Sequence, residues 1–170
     1  MAEITASSST PPCTTVDGWL ASAHPSPSTV WSEWSNAGKL ALIPLGHSFE
    51  AVRIPEEVVH AVVRSDEPTI VSTQLAQRAG GPVIHDPWFH RYYALVPPGT
   101  SQAWTARAAD CLGEGTYLGV PRTDRTDPGE HTQASYWSVP MTQPGALCMA
   151  ADLLELVILG GCLTDGEDES

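Results

Sequence analysis

Residues 82–100, PVIHDPWFHRYYALVPPGT, decide the fold that we expect for this chain. Two apolar runs, PVIHD and RYYALVP, flank the short connection Pro87-Trp88-Phe89, and this pattern predicts a β-hairpin. Two prolines and a glycine then end the second strand. His90 stands where that strand begins, so the hairpin also raises the question of what this histidine does.

The segments before the hairpin predict further strands and helices. A start at Ser and Pro with an Asn-to-Gly stop indicates a short helix in PSPSTVWSEWSNAG. The apolar runs KLALIPLG and SFEAVRI predict two strands. Pro55-Glu56-Glu57 opens another helix, because proline suits the first helical position and acids suit the positive end of the helix dipole. TIVSTQLAQRAGG predicts a helix that ends at its two glycines.

The segments after the hairpin complete the fold prediction. Thr100 caps a short helix, a short strand follows around Asp110, and TYLGVPR and YWSVP are two more strands. GALCMAADLLELVILGG predicts a closing amphipathic helix. Roughly seven strands and four helices in mixed order indicate an α+β protein with a largely antiparallel mixed sheet flanked by helices.

Length and composition predict one folded domain with loose ends. The chain has 170 residues, of which 42% are hydrophobic, enough for one core. We expect a disordered tail at residues 1–15, a domain at residues 16–163 and a solvated acidic tail at residues 164–170. The sequence lacks a bilayer-spanning apolar run and a signal peptide, which predicts a cytoplasmic protein without membrane contact. The four cysteines are far apart, as expected for free thiols.

The charge pattern argues against nucleic acid as a partner. The net charge is -12, Lys39 is the only lysine, and the seven arginines are scattered along the chain. Proteins that hold a nucleic acid backbone normally carry a basic stripe that releases counterions. A local basic cleft that uses Arg53, Arg91 and Arg122 stays open as an alternative. Scarce lysine beside abundant Ala, Gly and Pro is typical of a GC-rich bacterial genome.

The chain contains HRYYALVPPG, ADCLGEGTYLGVPR and DPGEHTQASYWSVP in this order, with KLALIPLGHSFEAVRIP upstream of them. Together these segments resemble the bifunctional primase-polymerase domain of the archaeo-eukaryotic primase superfamily, whose core is RRM-like. HRYYALVPPG is similar to the family's histidine-led strand, and ADCLGEGTYLGVPR to its aspartate, Gly-rich turn and following strand. DPGEHTQASYWSVP is similar to its closing strand, and KLALIPLGHSFEAVRIP stands where the family carries its metal-binding acid pair. The resemblance covers roughly residues 30–160.

This resemblance implies a degenerate active site. The family uses two divalent metals held by an acid pair and a third acid, and several converging carboxylates are needed to hold such metals. Asp110 matches the third acid and His90 matches the histidine that contacts the triphosphate. Arg53 and Pro55 stand where the acid pair is expected, and an arginine there repels the cation. We therefore expect lost polymerase activity and no cofactor.

The candidate ligand-binding residues are His90, Arg53, Arg91, Arg122 and Tyr92, with Asp110 and His90 as remnants of catalysis. Two of these residues have an alternative interpretation. Arg53 could anchor a phosphate or carboxylate, or it could form a salt bridge with Asp110. His90 could contact phosphate or hydrogen-bond the end of the hairpin.

Two other interpretations concern the residues around the hairpin turn. His85, Asp86 and His90 could be metal ligands, although the sequence indicates no fourth ligand. Trp88, Phe89, Tyr92 and Tyr93 could stack a base, although strand alternation sends the two tyrosines to opposite faces.

Three functions follow from these observations. The first is a non-catalytic primase-polymerase-like module that binds another protein, through its Trp-containing helix or acidic tail, or binds a nucleotide. The second is a Mg²⁺- or Mn²⁺-dependent nucleotidyltransferase that uses Asp110 with Glu50 or Glu56. The third is an acidic DNA mimic. The motifs of serine hydrolases and P-loop nucleotide triphosphatases are absent from the sequence.

Overall fold

The computed structural model describes residues 15–36, 40–129 and 133–168, with the side chains of the last two residues left aside. Within these ranges the fold is α+β, as predicted, with seven strands and six helices. The helices are α1 (Val16–Ser22), α2 (Pro27–Ser35), α3 (Glu56–Val63), α4 (Pro68–Ala79), α5 (Thr100–Ala103) and α6 (Ala150–Asp168). The strands are β1 (Ala41–Pro44), β2 (Glu50–Pro55), β3 (Val83–Asp86), β4 (Arg91–Val96), β5 (Asp110–Leu112), β6 (Tyr117–Val120) and β7 (Tyr136–Val139).

The predicted hairpin lies at the centre of the main sheet. This sheet has five antiparallel strands in the order β5-β2-β4-β3-β7. Strand β4 pairs with β3 on one side and, over six residue pairs from Glu50↔Val96 to Pro55↔Arg91, with β2 on the other. Cores on both faces of the sheet bury β4, which explains why its sequence is almost entirely apolar between Tyr92 and Val96.

The strand TYLGVPR does not join the main sheet. It forms β6 and pairs with β1 in a separate two-stranded antiparallel sheet, with Ala41 opposite Val120 and Pro44 opposite Tyr117. The chain after β6 packs on β7, where the Trp137 Nε1 donates to the Pro121 carbonyl at 3.0 Å. This placement decides the position of Arg122, one of the predicted ligand-binding residues.

Hydrophobic cores cover both faces of the main sheet. On one face, Val52, Ile54 and Ala94 pack in a core with residues of α3, α4 and α6. On the other face, Ala51 and Leu95 pack in a core with residues of α1, α2 and the small sheet. Alternate residues of β2 and β4 therefore enter different cores, as the pleat of a strand requires.

The helices differ from the predictions at two places. The sequence reading gave no helix at α1, although Thr15 caps its start and accepts a hydrogen bond from the Gly18 N–H. Helix α6 continues to Asp168 and so includes most of the segment expected to be a solvated tail. Gly160 lets α6 approach α3 closely, since a Cβ there would come within 2.5 Å of the Val58 side chain. Among the described helices, none has the length and apolar character to cross a membrane.

Candidate anion-binding cleft

The order β5-β2-β4 places three polar residues side by side. Arg53 in the middle strand lies opposite Asp110 on one neighbour and opposite Tyr93 on the other. The Arg53 Nη2 donates to the Asp110 Oδ2 at 2.9 Å, so the salt-bridge interpretation of Arg53 is confirmed. Because Arg53 is only partly buried and Asp110 is exposed, such a pair contributes at most about 1 kcal/mol. A guanidinium has about five N–H donors, and this ion pair uses one of them.

A cleft of about 410 Å³ opens beside this pair, and we call it the arginine cleft. Its walls combine Arg53 with two further arginines, Arg91 and Arg107. The lining residues are Arg53, Pro55, Phe89, His90, Arg91, Arg107, Ala108, Ala109 and Asp110. Of these described residues, Asp110 alone carries a carboxylate, and Arg53 already neutralises it. The arginine cleft is therefore cationic although the whole chain is acidic.

The hairpin turn gives the arginine cleft an aromatic rim. Phe89 is exposed, and the guanidinium carbon of Arg91 lies 5.4 Å from the centre of its ring. Trp88, beside it in the sequence, is also exposed. The Arg91 Nη1 is within 3.4 Å of the Tyr93 hydroxyl, to which it donates. An exposed ring can stack on a planar group, and the cation beside the ring can neutralise a negative charge on that group.

His90 closes the hairpin turn and reaches the same cleft. Its backbone lies in the left-handed region at φ 58°, and its N–H donates to the Pro87 carbonyl at 3.3 Å. The Glu56 N–H donates to the His90 carbonyl at 3.0 Å, and His90 Nδ1 lies 3.1 Å from Glu56 Oε1. The interpretation of His90 as a residue that hydrogen-bonds the hairpin end is confirmed. Its imidazole is still 74% exposed and lines the arginine cleft.

Behind the hairpin end lies a second group of polar residues, which we call the histidine cluster: Glu56, His60, His85, Tyr92 and Tyr136. Glu56 Oε2 lies 2.7 Å from His85 Nε2, and His85 Nδ1 lies 2.8 Å from the Tyr136 hydroxyl. His85 also stacks on Tyr92 with ring centres 4.2 Å apart, and the Tyr92 hydroxyl lies 2.8 Å from His60 Nε2. Each of these side chains has at least one polar atom hydrogen-bonded inside the protein.

The pKa values in the histidine cluster describe an ionised carboxylate beside neutral histidines. Burial lowers the pKa of His85 and of His60, because it penalises the imidazolium form. Burial alone would raise the pKa of Glu56, but hydrogen bonds from His85 and His90 outweigh it and lower this pKa. A neutral His85 therefore donates from Nε2 to Glu56 and accepts at Nδ1 from Tyr136. Burial also raises the pKa of Tyr136 to about 12, so this hydroxyl keeps its proton.

Two of the predicted ligand-binding residues, Tyr92 and Arg122, lie outside the arginine cleft. Tyr92 is only 2% exposed, because alternation along β4 turns its side chain into the core. There its hydroxyl lies within hydrogen-bonding distance of His60 Nε2. Arg122 follows β6 in the other sheet and pairs with Asp124, with Nη2 and Oδ2 2.8 Å apart. It lines a different cavity beside Trp31. Of the predicted ligand-binding residues, the arginine cleft contains His90, Arg53 and Arg91.

The residues considered as metal ligands do not converge on a common point. His85 and His90 bond to the two oxygens of Glu56, and Asp86 Oδ1 accepts from the Phe89 N–H at 3.3 Å. Glu50 is buried and accepts from the Ser101 N–H at 2.7 Å. Throughout residues 15–36, 40–129 and 133–168, no three His, Cys, Asp or Glu side chains are grouped so as to hold a metal ion.

The sequence matches no protein-family model, and no curated protein or solved structure is significantly similar to it. The fold and the site define an α+β protein with an open, cationic and aromatic cleft at one end of its main sheet. Sequence reasoning missed Arg107, which lies in an irregular segment and enters the cleft because β5 docks beside β2. Its position three residues before the predicted cleft residue Asp110 was the available signal.

Proposed function

We propose that the protein is a non-catalytic, primase-polymerase-like binding module whose arginine cleft binds a phosphate-bearing ligand, such as a nucleotide, without a metal ion. One observation carries this proposal. Three of the seven arginines of an acidic chain line a single cleft, where the one described carboxylate is already paired. Guanidinium groups bind phosphate through paired N–H donors, so several of them in one cleft favour a phosphate over a neutral ligand.

The rim of the cleft favours a ligand with a planar part. The exposed Phe89 ring lies beside the arginines and could stack a nucleobase while they hold its phosphates. A volume of about 410 Å³ lies within the usual range for small-molecule sites. A nucleotide joins both features, since it carries a flat base and anionic phosphates on one small molecule.

The family resemblance supports the same function. Arg53 and Pro55 stand at positions that resemble the family's acid pair, and Asp110 and His90 at those of the third acid and the triphosphate histidine. All four residues line the arginine cleft. With Arg53 at a metal position, the cleft attracts anions and repels divalent cations. The carboxylates that a relocated nucleotidyltransferase site would need, Glu50 and Glu56, are engaged in other contacts.

The experiment is a thermal-shift titration with ADP and with pyrophosphate, each in the presence of EDTA or of Mn²⁺. A ligand that binds the folded state raises its melting temperature. We expect both ligands to raise Tm in the presence of EDTA, and Mn²⁺ should not increase the shift. The double variant Arg91→Ala, Arg107→Ala should lose the shift, whereas Arg122→Ala, which removes an exposed arginine outside the cleft, should keep it.

Other results would contradict the proposal in different ways. A shift that requires Mn²⁺ would indicate metal-dependent chemistry and would justify a primer-extension assay. A shift that is equal in the double variant and in Arg122→Ala would place the anion outside the arginine cleft. Arg53 is left intact in this test, because its removal would also leave the negative charge of Asp110 unpaired in the cleft.

A further inference from the structure

The outward face of α6 carries an apolar stripe. Ile158, Leu159 and Leu163 are 51%, 42% and 41% exposed, and Cys162 among them is also exposed. The opposite side of the helix packs into the core through Leu153, Leu156 and Val157. A helix that is apolar on both sides is normally covered on both sides. Exposed apolar patches of this kind mark interaction surfaces.

Three residues of this stripe, Ile158, Leu159 and Cys162, form one wall of a groove between α4 and α6. The groove has a volume of about 640 Å³, and Gln77 and Arg78 of α4 form its other wall. Asp152 and Glu155 line the groove on the N-terminal side of the stripe, and Asp165 is exposed on its C-terminal side. From Asp152 to Asp165 the helix rises by about 20 Å. The outward face of α6 between these carboxylates is therefore long enough for three to four turns of a second helix, roughly the length of an ordinary helix.

We propose that the groove between α4 and α6 binds an amphipathic helix of a partner protein whose apolar face is flanked by basic residues. The apolar face would cover Ile158, Leu159 and Cys162, as helices do in hydrophobic grooves. Lysines or arginines at its ends would meet the carboxylates on both sides of the stripe. The net charge of -12 would also attract such a segment from a distance.

The same charges disfavour a second copy of this chain as the occupant. An antiparallel pair of α6 helices centred on the stripe would bring Asp165 of one copy towards the end of the stripe where Asp152 and Glu155 of the other copy lie. Like charges at close range oppose association. Arg78 is the cation in the groove, and it would repel a basic segment and attract an acidic one. Arg78→Glu therefore distinguishes the two occupants. It should strengthen binding of a basic partner helix and weaken binding of an acidic segment such as α6 of a second copy.

The experiment measures binding of two designed helical peptides of about 14 residues to the full chain by fluorescence anisotropy. Both peptides carry leucines at helical spacing, and their flanking residues are lysines in one and glutamates in the other. We expect the lysine peptide to bind at least about tenfold more tightly than the glutamate peptide, and to weaken as salt is added. Arg78→Glu should strengthen binding of the lysine peptide.

Two variants locate the binding and keep the test decisive. Leu159→Asp should abolish binding of the lysine peptide, whereas Ile70→Asp, at an equally exposed apolar residue of α4 outside the groove, should not. Retained Tm in both variants shows that they fold. Equal binding of the two peptides, or no binding of the lysine peptide, would overturn the proposal. A concentration-dependent dimer in light scattering that Leu159→Asp dissociates would also overturn it, in favour of a second copy. Because α6 does not line the arginine cleft, these results are independent of nucleotide binding.

Discussion

Two polar regions meet at the end of the central hairpin, and their hydrogen-bonding groups differ in what they contact. Those of one region bond to each other, and those of the other line a cavity. In the histidine cluster, Glu56, His85 and Tyr136 satisfy one another within the protein. In the arginine cleft, Arg91 and Arg107 line a cavity open to solvent. Glu56 links the two regions, because one of its oxygens holds His85 and the other holds His90 at the rim of the cleft.

The difference separates residues that hold the fold from residues that can bind a ligand. A buried polar group with internal partners stabilises the fold and has no donor to offer a ligand, whereas its removal leaves the partners unsatisfied. An arginine in an open cleft adds little to stability and keeps its donors. We therefore expect substitutions in the histidine cluster to change the free energy of unfolding and substitutions in the arginine cleft to change affinity.

The largest effect is expected for Glu56→Ala. This substitution leaves the buried His85 Nε2 without its acceptor and releases His90 from the hairpin end. We expect the free energy of unfolding to fall by about 2–4 kcal/mol, measured by urea unfolding. Glu57→Ala is the matched control, because Glu57 is exposed on the same helix and should change stability by less than about 0.5 kcal/mol. Equal losses in the two variants would remove the distinction between the regions.

The next effect is a dependence of stability on pH that originates in the histidine cluster. The pKa of His85 and of His60 is lowered from the ordinary value of 6.5 by burial. Below that value the unfolded chain binds protons that the folded chain does not bind, so the free energy of unfolding falls as the pH falls. The lowered pKa of Glu56 adds a further loss below its ordinary value of 4.5.

Urea unfolding between about pH 7 and about pH 5 measures this dependence. The double variant His60→Gln, His85→Gln should show a shallower slope than the natural chain, whatever its absolute stability. His24→Gln serves as the control, because His24 lies outside the histidine cluster and its Nδ1 accepts from the Ser26 N–H. An unchanged slope in the double variant would assign the pH dependence to other groups.

A smaller effect is expected at the rim of the arginine cleft for Phe89→Ala. Stacking on an aromatic side chain contributes roughly 1–3 kcal/mol per base. We expect the affinity for ADP to fall about tenfold and the affinity for pyrophosphate, which has no base, to stay within about twofold. Isothermal titration calorimetry measures both. Equal losses for the two ligands would mean that Phe89 shapes the cleft and does not stack a base.

The fold could be predicted from the sequence where apolar runs end at prolines or glycines. The hairpin of β3 and β4 and the glycine stop of α4 are of this kind, and the structure confirms them. The strand β6 was predicted, but its partner was not, since a short apolar run pairs equally well with several others. Arg122 was therefore expected beside Arg53 and Arg91, whereas it lines a different cavity.

The contacts of the site were harder to predict than its position. Alternation along β4 indicated that Tyr92 and Tyr93 point to opposite faces, but not which face is closed. The hydrogen bond between His85 and Tyr136 joins residues 51 positions apart in the sequence. It depends on the register between β3 and β7, which contains an irregularity. The ion pair between Arg53 and Asp110 was one of two interpretations of Arg53 that the sequence supported, because the positions of both residues resemble parts of one site.

The smallest effect is expected for Asp110→Asn, and it tests whether the ion pair with Arg53 limits the arginine cleft. The substitution keeps the shape of the side chain, removes one negative charge and weakens the hold on the guanidinium of Arg53. We expect pyrophosphate to bind about threefold more tightly, a difference of roughly 0.7 kcal/mol, while the free energy of unfolding changes by less than about 1 kcal/mol. Asp124→Asn is the matched control, since Asp124 pairs with Arg122 outside the cleft. If Asp110→Asn weakens binding instead, the carboxylate takes part in holding the ligand. A carboxylate and a phosphate attract each other only through a cation. A metal ion between Asp110 and the phosphates would then be the better explanation.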